Sequence, residues 1–490
     1  MGNLHPTIIQ GGMGVGISGW KLARAVSKAG QLGVVSGTAL DQVLVRRLHD
    51  GDPGGHMRRA LENYPLPGVA ARILDSYFIP GGKAADAPYP RLPMHGKDGP
   101  HDLWELCIAA NFVEVYLARE GHDGLVGVNY LEKVQLPTLP SIYGAMLAGV
   151  DYVLMGAGIP LKIPGVLDAF VRHEAVTYPL YVVGATAGTD THSHFSPSDF
   201  VHQPLPPLKR PKFLAIIGSN TLAITMVRKA NGRVDGFVVE GPLAGGHNAP
   251  PRGKLTLNSD GEPIYGVRDE VDPVKLLELG LPFWLAGGYG RPEKLGEALS
   301  LGAAGIQAGS IFAFCEESGL DEAYKKRILK GIASGEVRVF TDPVASPTDF
   351  PFKIVQLEGT MSEAEVYDER PRICDLGYLR EAYQTDEGTI AFRCAAEPLS
   401  VYAAKGGKVE NTPGRKCICN GLLANAGYPQ VRGGTYVEKA LITAGTDIDA
   451  LKLVLPPDGS AYTAADVVAL LLNRGAECSD ALACATPESA

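Results

Sequence analysis

One histidine and three glycine-rich turns carry most of the chemistry this chain could perform. Glu240-Gly-Pro-Leu-Ala-Gly245-Gly246-His247-Asn248 ends an apolar run, so His247 sits on sharply turned backbone with its ring free to face a cavity. Imidazole titrates near neutrality, which suits proton transfer; the plainer reading is a surface-loop histidine. Leu285-Ala286-Gly287-Gly288-Tyr289-Gly290 and Gln307-Ala308-Gly309-Ser310 end two further apolar runs. Glycines there let N–H groups point inward, and a following helix start adds partial positive charge, a pairing that can hold a phosphate. The plainer reading is two turns closing a sheet. No basic residue is expected to adjoin either loop, so backbone donors would carry most of the charge stabilisation.

Gly14-Val-Gly16-Ile-Ser-Gly19 follows a strand-like run and matches a dinucleotide fingerprint in form. That fingerprint needs an acidic residue ending the second strand, and none occurs before Asp41. A flat ligand resting on the glycine backbone fits better. Asn129 is polar within Val126–Leu131; once buried, it must either brace the fold or read a ligand's heteroatoms. His192, His194 and His202 lack a supporting ligand pattern and read as a solvated loop. Cys374, Cys394, Cys417 and Cys419 could enclose zinc or an iron–sulfur cluster, but they lack paired Cys-x2-Cys knuckles, and buried unligated cysteines are common.

Eight mostly apolar runs must position these groups: Thr7–Gly12, Leu32–Gly37, Val126–Leu131, Tyr152–Gly158, Phe213–Ser219, Gly236–Gly241, Pro282–Gly288 and Gly305–Phe312. Strands apolar on both faces belong to parallel sheets covered by helices. Helix-like segments follow most of them, at Trp20–Ala29, Asp41–His49, Ser141–Ala148, Pro164–Val171, Thr221–Ala230 and Pro292–Leu301. The count predicts an α/β fold, a (β/α)8 TIM barrel with chemistry at the C-terminal strand ends; an open doubly wound sheet is the competitor. Insertions are expected at about 52–124, with helices at His56–Glu62 and Leu103–Arg119, and at about 178–211. The barrel with its insertions would span 1–337. Residues 338–490 read as a separate C-terminal cysteine-containing domain with helices near Val437–Ala444 and Ala464–Asn473.

Composition narrows the classes. Lys+Arg 45 against Asp+Glu 54 gives a net charge of −9 with no basic block, which argues against nucleic acid. No run approaches the roughly 18 apolar residues of a membrane helix. The first residues lack a charged and then apolar leader, and the eight cysteines are too sparse for a disulfide scaffold, so the cytoplasm is the expected compartment.

Ile9-Gln10-Gly11-Gly12-Met13-Gly14, Gly127-Val128-Asn129, Glu240 through His247, Ala286-Gly287-Gly288 and Gln307-Ala308-Gly309-Ser310 together resemble the nitronate monooxygenase (2-nitropropane dioxygenase-like) family. The resemblance runs over about residues 5–320 and extends to FMN-dependent enoyl-ACP reductases. It implies an FMN barrel with the phosphate on Gly288, Gly309 and Ser310 and the ring system against Gly12, Met13 and Gly14. Asn129, Gly245 and Gln307 match cofactor contacts of relatives, Gly287 and Ala308 lie in the same motifs, and His247 falls on the catalytic histidine. No metal ligand is implied. The implied activity is oxidation of alkyl nitronates by O2 through a flavin semiquinone. The alternative is an NAD(P)H-dependent enoyl-thioester reductase of lipid or polyketide synthesis, served by a carrier protein; a homo-oligomer fits either. Glu240 departs from the pattern, standing where many relatives carry a flavin-contacting glutamine. Asn248-Ala-Pro-Pro likewise replaces a short glycine turn.

Overall fold

The computed structural model describes residues 5–456 and 461–472. Eight parallel strands form one sheet: β1 (Ile8–Gln10), β2 (Gly33–Ser36), β3 (Val126–Leu131), β4 (Tyr152–Gly156), β5 (Lys212–Ile217), β6 (Gly236–Glu240), β7 (Phe283–Ala286) and β8 (Gly305–Ala308). Their spatial order is β1-β8-β7-β6-β5-β4-β3-β2. A parallel bridge between Ile9 and Leu32 joins the two ends, with Gln10 N–H donating to the Leu32 carbonyl at 3.0 Å and Leu32 N–H to that of Ile8 at 3.1 Å. The sheet is therefore a closed barrel, as the eight apolar runs predict.

Alternation along the strands shows why they are mostly apolar. Ile9, Val34, Leu154, Leu214, Val238 and Trp284 fill the barrel interior as one cluster. Their neighbours Ile8, Val35, Val153, Phe213, Phe237 and Phe283 pack outward under the helices. Both faces are dry along most of each strand, and polar residues such as Gln10, Asn129, Glu240 and Gln307 fall towards the C-terminal ends.

The first insertion contains helices His56–Glu62, Pro67–Tyr77 and His101–Arg119. The last packs against Trp20–Lys28, Leu40–His49 and Thr138–Leu147. Three of its buried polar side chains are engaged: Arg72 donates to Glu105 at 2.5 Å, Arg47 to Glu114 at 2.6 Å, and the Tyr130 hydroxyl to Asn111 at 3.0 Å. In the second excursion, Val176–Pro179 pairs antiparallel with His192–Phe195. His192 and His194 lie beside Asp190 on the exposed face of this hairpin.

After the barrel, β9 (Val339–Asp342) pairs antiparallel with β10 (Phe352–Val355), and β11 (Glu381–Gln384) with β12 (Ile390–Arg393). Val182–Val183 of the second excursion adds a parallel strand to β11. Residues 464–472 are helical; Asn473, the end expected for that helix, lies outside the described residues. The helix expected at Val437–Ala444 is absent. Val437 ends a two-residue strand, and the chain then runs extended, bonded to its surroundings: Val355 N–H donates to Ile442 O at 2.9 Å, and Met361 N–H to Ala440 O at 2.9 Å. Tertiary partners outside the segment overrode its helical propensity. No helix among the described residues is long and apolar enough to cross a membrane.

Candidate active site

The C-terminal strand ends open on a cavity of about 240 Å³. Gly12, Met13 and Gly14 after β1, Asn129 in β3, Glu240, Gly245 and His247 at β6, Gly287 and Gly288 after β7, and Gln307, Ala308, Gly309 and Ser310 at β8 all line it. The structure thus gathers every candidate site residue at one place.

A polar knot inside the barrel mouth holds the first loop. The Gln10 amide nitrogen donates to Ser18 Oγ at 2.9 Å, Ser18 Oγ donates to the Gly11 carbonyl at 2.9 Å, and Met13 N–H donates to Ser18 Oγ at 2.9 Å. Val34 N–H donates to Gln10 Oε1 at 3.0 Å, tying the knot to β2. Gly12 passes so close to β3 that a Cβ there would sit 2.4 Å from Asn129 Cβ. The Asn129 amide donates to the Gly12 carbonyl at 3.3 Å and still borders the cavity, so it braces and faces inward at once. Gly287 and Gly288 have φ of +84° and +82°, the left-handed region that favours glycine. Gln307 presents a buried Oε1 with no hydrogen-bond partner. A buried unsatisfied acceptor is costly, and here it borders a cavity where a ligand donor would satisfy it.

The C-terminal region completes the walls, which sequence reading did not anticipate. β10 bridges antiparallel to the histidine loop: His247 pairs with Phe352, Asn248 N–H donates to Pro351 O at 2.9 Å, and Lys353 N–H donates to Gly246 O at 3.0 Å. His247 Nε2 lies 2.7 Å from Ser346 Oγ, and its ring meets Phe352 edge-on at 4.8 Å. Gly445 N–H donates to Ser310 Oγ at 2.6 Å, and Gly246 N–H to Thr443 Oγ1 at 2.9 Å. Arg291 corrects one expectation, since a basic residue does adjoin the β7 loop. It is drawn aside into a two-point pair with Asp447, at 2.8 and 2.5 Å.

Burial sets the protonation states. His247 borders the cavity but is otherwise enclosed, and desolvation lowers its pKa to about 4, so the imidazole is neutral at ordinary pH. Glu240 is pushed up to about 7 by the same cause, with Lys353 opposing. Lys353 is lowered to about 8 by desolvation, against the pull of Glu262 and Glu240, while its ammonium donates to Thr341 Oγ1 at 2.7 Å. A neutral base, an acid poised near neutrality and a softened ammonium therefore occupy one neighbourhood. Ser346, Thr341 and Lys353 carry no local motif that would have marked them.

Residues 200–342, which contain β5 to β8 and the His247 loop, match the family model described as nitronate monooxygenase. Over this stretch the chain is similar to the nitronate monooxygenases. It is 31% identical over 117 residues to a probable nitronate monooxygenase of Staphylococcus haemolyticus, covering 24% of this chain and 31% of that protein. It is 37% identical over 97 residues to one of Bacillus subtilis, covering 20% and 26%. These matches thus span about a third or less of the relatives' length. Among solved structures, FabK from Thermotoga maritima aligns at 17% identity and a TM-score of 0.48, covering 98% of this chain and 95% of that one. The barrel closure follows from the chain's own hydrogen bonds, independently of that alignment.

Proposed function

We propose that the chain is an FMN-dependent oxidoreductase of nitronate monooxygenase type, its barrel holding the cofactor and its C-terminal region covering the mouth. The observation that carries this reading is the unpartnered, buried Gln307 Oε1 on a cavity that also presents a neutral His247. The donor set suits a flavin: glycine backbone for a flat ring, Asn129 and Gln307 for its heteroatoms, and the Gly287–Gly288 and Gly309–Ser310 turns for its phosphate.

Bound FMN would supply the acceptance of electrons from the substrate and their delivery to O2. The chain's own part is proton control. Ser346 Oγ lies 2.7 Å from His247 Nε2 and 2.8 Å from Thr348 Oγ1; in the tautomer whose Nε2–H donates to Ser346, His247 keeps the lone pair of Nδ1 for a substrate proton. A nitroalkane would lose its α-proton to this nitrogen; a nitronate would arrive without it. Phe352 and Ile442 border the cavity and limit water near the ring. Glu240 can offer a hydrogen bond below about pH 7 and an anion above it. The small-molecule substrate and O2 need no partner chain, and the cytoplasm fits this chemistry.

The test is anaerobic stopped-flow mixing of the purified holoprotein with propyl-nitronate and, separately, with NADPH. Rapid flavin bleaching by nitronate supports the assignment. Bleaching by NADPH alone transfers it to the enoyl-thioester reductase class.

A further inference from the structure

Four cysteines far apart in sequence meet in the C-terminal region. Cys374 follows helix Ala364–Glu369, Cys394 directly follows β12, and Cys417 and Cys419 stand at the start of helix Ile418–Asn425. All four line one small cavity whose other walls are apolar, among them Pro347, Leu376 and Ile418. Cys374 and Cys394 are close enough to share a thiol hydrogen bond, and none of the four is in a disulfide.

Three observations say what would fill this space. Protein interiors are close-packed, and an apolar pocket offering only thiols gives a water too few partners to hold it. The sulfurs are also spread too widely for one ion. Tetrahedral zinc holds thiolates at about 2.3 Å and so draws them to about 4 Å from one another. Among the described residues, no three of these sulfurs lie within 4.8 Å of each other. A polynuclear core, with its irons standing between the centre and the thiolates, suits such a spread.

The third observation is charge. Arg380 is half-buried and has no carboxylate at ion-pair distance among the described residues. Its guanidinium donates to the carbonyls of Gly377, at 3.0 Å, and His95; the thiols of Cys374, Cys394 and Cys419 lie within its field, as does the more weakly acting carboxylate of Glu397, which is itself paired with Lys405 at 2.7 Å. A thiolate-ligated cluster is anionic and would supply the direct counter-charge that Arg380 lacks. Donors already point at the sulfurs: the Asn420 amide at Cys417 Sγ, at 3.4 Å, and the N–H groups of Tyr378 and Leu379 at Cys419. Such N–H···S bonds tune cluster potentials.

We propose that Cys374, Cys394, Cys417 and Cys419 ligate an iron–sulfur cluster. Leu379, Ile418 and Cys419 line both this cavity and the main one, so a single layer of side chains separates the two. The cluster would accept one electron at a time from a one-electron donor of the reduced ferredoxin class and pass it to the redox group in the main cavity. Two such transfers with two solvent protons reduce a flavin fully. This relay rests on the flavin assignment; the ligand set does not.

The test is iron, acid-labile sulfide, zinc and released-flavin analysis of anaerobically purified full-length chain, with electron paramagnetic resonance after dithionite reduction. Equal iron and sulfide at about two to four per chain, with a cluster signal, is the expected result. Cys374→Ser with Cys394→Ser, neither of which lines the main cavity, should abolish both while leaving released flavin unchanged. About one zinc per chain without sulfide overturns the proposal. So does a wild-type protein that holds neither metal nor sulfide and takes up none on reconstitution with ferrous iron and sulfide. A cluster found without flavin sustains the ligand set and removes the relay and the flavin assignment.

Discussion

His247 Nε2 and Ser346 Oγ are 2.7 Å apart, although 99 residues separate them along the chain. The histidine hangs from the end of β6, and the serine sits between β9 and β10, fully buried. A barrel loop thus receives its orientation from the chain that follows the barrel. Removing the hydroxyl in Ser346→Ala frees the ring to rotate and deletes one hydrogen bond, worth about 1 kcal/mol. The expected outcome is a kcat lowered about tenfold with KM nearly unchanged, read by steady-state kinetics on holoprotein of matched flavin content.

His247→Ala separates two substrates that differ by one proton. General-base catalysis contributes about 10²- to 10⁴-fold, so nitroalkane oxidation should fall by that order. Nitronate, already deprotonated, should be oxidised within a few-fold of the wild-type rate. The wild-type base works wherever the ring is neutral, so nitroalkane turnover should fail only as pH drops through about 4. Equal losses on both substrates would contradict the base assignment.

Glu240 gives the site a pH response with a defined sign. Its folded-state pKa of about 7 lies above the ordinary carboxyl value, so between those values the folded chain holds a proton that the unfolded chain has released. Stability from this group is present below the ordinary value and is lost as pH rises through about 7. Glu240→Gln mimics the protonated form and should flatten that decline, giving a higher Tm than wild type at pH 8 and little difference at pH 5. The visible spectrum of the holoprotein should likewise stop responding to pH near 7.

Gln307 predicts opposite effects on the empty and filled protein. Its Oε1 is buried without a partner, a cost that Gln307→Leu removes. Tm of the flavin-free protein should hold steady or rise. FMN affinity should fall about tenfold for the loss of roughly one hydrogen bond, measured by fluorescence titration.

Much of this was legible in the residues because the barrel's demands are local. Strands buried on both faces announce themselves as short apolar runs, and the glycines that end them mark where Gly287 and Gly288 adopt positive φ. What escaped was long-range. Ser346 and Lys353 meet the His247 loop only because β10 bridges to it. Arg291 stood in plain view, but nothing beside it foretold its pairing with Asp447. Gln10 and Ser18 look like ordinary polar residues until burial turns them into a knot. The stretch from Val437 to Ala444 has helical composition, yet its backbone groups find partners at Val355 and Met361 instead.

The central claim is that the cavity at the strand ends holds a flavin. Acid release and quantification of flavin from the freshly purified chain, followed by FMN titration of any empty fraction, tests it most directly. The account predicts FMN approaching one per chain, with empty protein taking up the remainder. Protein that releases no flavin and binds none on titration would contradict it.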